Sequence, residues 1–149
     1  MCVGFGLLLS LGAPVFAQND GVAAEGEVPS AGALRVDEGP RVDGDVLNDP
    51  IYQGAVPATD FIQSRPFEGQ PASERTEVYI VYTADTLYFG IVCYTADPGT
   101  VIAADSRRDS SLTETDSFQI LLDTYHDRQN GFVFGTNPAG VEYDGQVMN

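Results

Sequence analysis

The sequence predicts an all-β domain, an antiparallel β-sandwich of jelly-roll type, on three observations. Short runs with alternating apolar residues follow one another after residue 76, turn-forming residues separate them, and no downstream stretch carries apolar residues at helical spacing. At 149 residues the chain has room for one domain. The final predicted strand ends almost at Asn149, so the sandwich is expected to be incomplete at its C-terminus.

The first clear strand covers residues 77–83, and Ala84-Asp85 turns it into a second over residues 86–94, forming a β-hairpin. In the second strand Leu87, Phe89, Ile91 and Cys93 alternate onto one face, the stripe expected to enter the core. Cys93 reads there as a small buried hydrophobe, without a disulfide partner once Cys2 is removed.

A third strand runs over residues 116–124, with Phe118, Ile120 and Leu122 on one face and Gln119, Leu121 and Asp123 on the other. Residues 131–136 and 141–147 follow, joined by Asn137-Pro138-Ala139-Gly140, which suits a type I turn. The register expected from these patterns pairs Leu122 with Phe134 and Phe134 with Tyr143. It puts Gln119, Asp123, Glu142 and Asp144 together on the face away from the core.

Ahead of these strands, residues 3–11 form a short apolar run. Residues 13–17, Ala-Pro-Val-Phe-Ala, place small residues at the third and last positions, so residues 1–17 read as a signal peptide. Residues 18–38 are rich in Gly, Ala, Glu, Val and Pro and read as a flexible linker. The apolar run is too short to span a bilayer, and no transmembrane segment is expected. Export follows, to the periplasm, the outer membrane surface or the exterior.

The net charge of −15 and seven basic residues, every one Arg, leave no patch suited to a phosphate backbone, which argues against nucleic acid as a partner. Carboxylates are plentiful for a hard cation such as calcium. Asp43, Asp45 and Asp49 lie at short spacing around Gly44, as in a turn that collects oxygens. A second acidic stretch, Asp105, Asp109, Glu114 and Asp116, is interrupted by Arg107 and Arg108, which can neutralise it. His126 stands alone in a polar loop, and Ser110 and Ser111 have no accompanying base, so neither transition-metal nor nucleophilic chemistry is indicated.

Three segments together resemble the family 9 carbohydrate-binding modules, and more closely the family-9-like domain at the N-terminus of certain bacterial envelope proteins. They are Arg41-Val42-Asp43-Gly44-Asp45-Val46-Leu47-Asn48-Asp49-Pro50-Ile51-Tyr52, residues 76–94, and Arg107-Arg108-Asp109 followed by residues 116–145 with the Asn-Pro-Ala-Gly turn. The resemblance spans residues 39–149. It implies a β-sandwich that binds poly- or oligosaccharide, often with structural calcium, as a non-catalytic module of an exported protein. Such modules accompany O-glycosyl hydrolases in carbohydrate catabolism. Two features depart from the family: the chain has no Trp, where members clamp the sugar between two, and it stops before the family's last strands.

A sugar site needs aromatic faces for the CH side of the ring and planar polar groups for its hydroxyls. The candidates are Gln119, Asp123, Glu142, Asp144 and Tyr125, with Phe61, Tyr79, Tyr82, Tyr88 and Tyr94 as further platforms. Two other readings stay open. One is a structural periplasmic or surface domain of an outer-membrane protein that binds no sugar. The other is a glycosidase using Asp123 and Asp144, which the expected register sets roughly 9 to 10 Å apart, at the upper end of the inverting range.

Overall fold

The computed structural model describes residues 30–148, so the expected signal peptide and most of the expected linker lie outside the described residues. Among the described residues six strands form two separate, open, three-stranded sheets. The first contains β1 (Leu34–Arg35), β2 (Thr76–Tyr82) and β3 (Leu87–Cys93), in that order. The second contains β4 (Phe118–Leu122), β5 (Asn130–Thr136) and β6 (Tyr143–Met148). One helical turn, α1 (Pro50–Gln53), and a short 3₁₀ turn at Pro98–Thr100 complete the described elements.

The all-β expectation holds, and the β2–β3 hairpin forms with Tyr82 opposite Leu87. Its turn is closed by the Thr83 amide on the Thr86 carbonyl at 2.9 Å, while Asp85 accepts from the Thr83 and Thr86 hydroxyls. Two expectations need correction. Leu34 and Arg35 belong to a strand and not to a linker, because the β2 edge offers them partners: Leu34 pairs with Val81, and the Val36 amide donates to the Tyr82 carbonyl at 2.9 Å. That pairing is parallel, so the first sheet is mixed and not purely antiparallel.

The main apolar cluster of the first sheet also gathers on the other face from the one expected, although Val78, opposite Ile91 on the expected face, is buried too. Tyr52, Ala55 and Val81 are buried together, with Val36, Val46, Ile51, Tyr79 and Tyr88 packed around them. Leu87 is 46% exposed, and Cys93 is an exposed free thiol at the strand end. Both faces of β2 and β3 are apolar, so alternation alone could not choose between them. Gly90 and α1 decide it. The Tyr52 ring lies so close over Gly90 that a Cβ there would come within 2.7 Å of Tyr52 Cε1 and 2.9 Å of Val46 Cγ1. Local signals fix α1 itself: Asp49 caps its start by accepting from the Ile51 amide at 2.8 Å, and Pro50 occupies its first turn.

In the second sheet the hairpin order is as expected and the register is not. Leu122 pairs with Phe132 and Ile120 with Phe134, a slip of two residues that keeps each side chain on its expected face. Between β5 and β6 the slip is one residue, so Phe134 lies opposite Asp144 and Gly135 opposite Tyr143. The cause is the turn. The Gly140 amide closes it on the Asn137 carbonyl at 2.9 Å, and Gly140 then adopts φ 77°, the left-handed residue that follows a type I turn in a bulged hairpin. That extra residue turns every side chain of β6 to the other face. Asn137 is buried, and its side-chain oxygen accepts from the Ala139 and Val141 amides.

Candidate functional site

The β4–β5 loop is built by two aspartates. The carboxylate of Asp123 accepts from the Asp127 amide at 3.2 Å and the Arg128 amide at 2.8 Å. Asp127 in turn accepts from the Gln129 and Asn130 amides, each at 2.8 Å, and from the Asn130 side-chain amide at 2.7 Å. The Asn130 side chain, with those backbone donors, holds the Asp127 carboxyl below the ordinary carboxylate range. Flanking Asp127, His126 and Arg128 take left-handed φ of 54° and 58°, a strained conformation that the clasped carboxylates maintain.

The clasp presents Tyr125. Tyr125 is 65% exposed, and its ring lies 6.4 Å from the Phe132 ring, tilted by 32°. Tyr125 and Phe132 line a cavity of about 240 Å³ together with Asp127, Asn130, Gln146 and Met148. Strand pairing supplies the opposite wall, since Phe132 lies across from Gln146 and Asn130 across from Met148. The site thus combines an exposed aromatic face with one carboxylate and two amides, the groups that meet the CH face and the hydroxyls of a polyhydroxylated ring.

The structure divides the residues singled out from sequence. Tyr125 lines the cavity, and Asp123 holds the loop that carries it. Glu142 and Asp144 come together elsewhere, bridged by Arg108 at 3.0 and 2.6 Å. Gln119 lies across from Gly135, and a Cβ on that glycine would meet Gln119 Cγ at 3.1 Å and Leu112 at 2.6 Å. The β5–β6 register therefore separates Gln119 from Asp144, so the expected four-residue polar face does not form. Asp144 is turned to the face opposite Gln119, and Asp123, the residue after β4, is taken up by the Asp127 and Arg128 amides.

Asp127, Asn130 and Gln146 were missed from sequence. Asp127 lies in the same polar loop as Tyr125 and Asn130 opens the strand that follows it, and their nearness to Tyr125 in sequence was the available signal. Gln146 becomes visible only once the bulge at Gly140 is counted.

Asp43, Asp45 and Asp49 each serve their own turn. Asp43 pairs with Arg41 at 2.9 Å and accepts from the Asp45 amide, Asp45 accepts from the Asn48 amide group, and Asp49 takes the Arg41 and Ile51 amides. Among the described residues no three His, Cys, Asp or Glu side chains gather as a metal site would require. In the second acidic stretch Arg107 forks onto Asp105 and holds its carboxyl far below the usual range, while Arg108 also reaches Asp109 at 3.4 Å. No helix among the described residues is long and apolar enough to cross a membrane.

Compared with family models, curated proteins and solved structures, the chain matches none of them.

Proposed function

We propose that the chain is a non-catalytic carbohydrate-binding module of an exported protein, its two sheets serving as layers of a sandwich, and that it joins an O-glycosyl hydrolase or envelope domain to a poly- or oligosaccharide. The observation that carries this reading is the exposed Tyr125 ring beside Phe132, lining one cavity with Asp127, Asn130 and Gln146. A tyrosine platform substitutes for the tryptophans of the family it resembles, because any flat aromatic face can cover the CH side of a sugar. The amides and carboxylate supply donors and acceptors in the planar geometry that paired hydroxyls take. Structural calcium is part of the proposal only as a ligand to be tested.

Titration of the full chain with oligosaccharides, with and without calcium, tests the reading. Saturable binding that Tyr125→Ala weakens supports it. Absence of saturable binding to any oligosaccharide favours the structural envelope domain instead.

A further inference from the structure

A second cavity, of about 370 Å³, is lined by Phe61, Pro71, Asp60, Glu74 and Arg75, among others, and shares no residue with the Tyr125 site. Its volume falls within the range of small-molecule sites, about 300–1,000 Å³. Its only basic lining residue is held in place. The Arg75 guanidinium donates to Glu77, whose side chain is 5% exposed, and lies over the Tyr94 ring at 5.1 Å from its centroid. Glu77 is fixed in turn by the Tyr79 and Tyr94 hydroxyls, each at 3.1 Å. A guanidinium carries five N–H donors, and the contact to Glu77 involves one nitrogen, so most of the donors of this solvent-facing side chain are open to a ligand.

The carboxylates complete the pattern. Glu74 makes no hydrogen bond or ion pair to the described residues, and the Asp60 side chain takes only the Thr59 hydroxyl, at 3.0 Å. Phe61 is 39% exposed and, with Pro71, supplies apolar lining. A simple anion would meet Asp60 and Glu74, and a simple cation would meet Arg75, each at an electrostatic cost. A ligand bearing both charges satisfies both. We infer that this cavity binds a small zwitterion with an apolar body, of the α-amino acid class, with its carboxylate on Arg75, its ammonium toward Asp60 and Glu74, and its side chain against Phe61.

Calorimetric titration of the full chain with L-leucine, N-acetyl-L-leucine and L-leucinamide tests the inference, because the two derivatives each remove one charge. L-leucine is expected to bind saturably and each derivative at least about ten-fold more weakly, the factor that corresponds to about 1.4 kcal/mol. Glu74→Gln, an exposed substitution that spares the fold, and Phe61→Ala are each expected to weaken L-leucine several-fold, with circular dichroism confirming that the variants are folded. No saturable binding of L-leucine, or equal binding of the N-acetyl or amide derivative, overturns it.

Discussion

The carboxylate of Glu77 accepts a hydrogen bond from the hydroxyl of Tyr94, 17 residues further along the chain, at 3.1 Å. The same buried carboxylate takes the Tyr79 hydroxyl and the Arg75 guanidinium, so one side chain ties the start of β2 to the residue after β3. Replacing Glu77 by Ala removes the acceptor from three donors. A measurable loss of stability is expected, limited because the exposed Tyr94 hydroxyl and the Arg75 guanidinium can both turn to water. Glu77→Gln keeps an acceptor in place and is expected to lose less. Urea unfolding of both variants measures the difference.

The same cluster gives the chain an alkaline limit. Burial, then the hydrogen bond to Glu77, raises the phenol of Tyr79 above its ordinary value, and Tyr94 is raised for the same reasons. A raised acid contributes stability that is complete below its unfolded value, about 10 for a phenol, and lost as pH rises through the folded value. Stability is therefore expected to be flat up to about pH 10 on this account and to fall above it. In Glu77→Gln the fall should start from a lower plateau and be shallower. Unfolding midpoints followed across that range check it.

Gly90 tests where the core lies. If Tyr52 packs over Gly90, Gly90→Ala must displace a buried ring and Val46 together, at a cost of about 1–3 kcal/mol. Gly32→Ala is the control, since nothing lies within 4 Å of a Cβ there, and it should be near neutral. Thermal melts of the pair distinguish this core from one built on the Leu87, Phe89 and Ile91 face, in which Gly90→Ala would also be neutral.

Acid should disarm the Tyr125 loop. Asp127 is held below the ordinary carboxylate range, so its contribution is present above the unfolded value, about 3.9, and lost as pH falls through the lowered one. Sugar affinity is expected to hold from neutral pH down to about 4 and to drop below it. Asp123→Ala should weaken binding several-fold at neutral pH without touching the ligand, because the Asp127 and Arg128 amides lose their common acceptor. Affinity measured against pH for both proteins reads the two effects separately.

Strand positions were legible because β2 to β6 announce themselves by alternation and by turns such as Asn137-Pro138-Ala139-Gly140. What alternation could not supply was the sign of a face. β2 and β3 are apolar on both sides, and the close approach of Tyr52 to Gly90, a tertiary contact, settled their orientation. In the second sheet a single left-handed residue, Gly140, inverted the facing of β6 and with it the placement of Asp144 and Gln146. β1 escaped notice because two residues carry no periodicity. Of the proposed sugar site, Tyr125 was readable as an aromatic in a polar loop, whereas Asp123 reads as a ligand in sequence and serves as a brace in the structure.

Side-by-side calorimetry of the full wild-type chain and Tyr125→Ala against a panel of oligosaccharides tests the central claim most directly. The expected result is saturable binding of at least one oligosaccharide by the wild type, weakened about ten-fold or more by the substitution, in line with the loss of one aromatic stacking face. Equal affinity of the two proteins, or no saturable binding by the wild type, would contradict it.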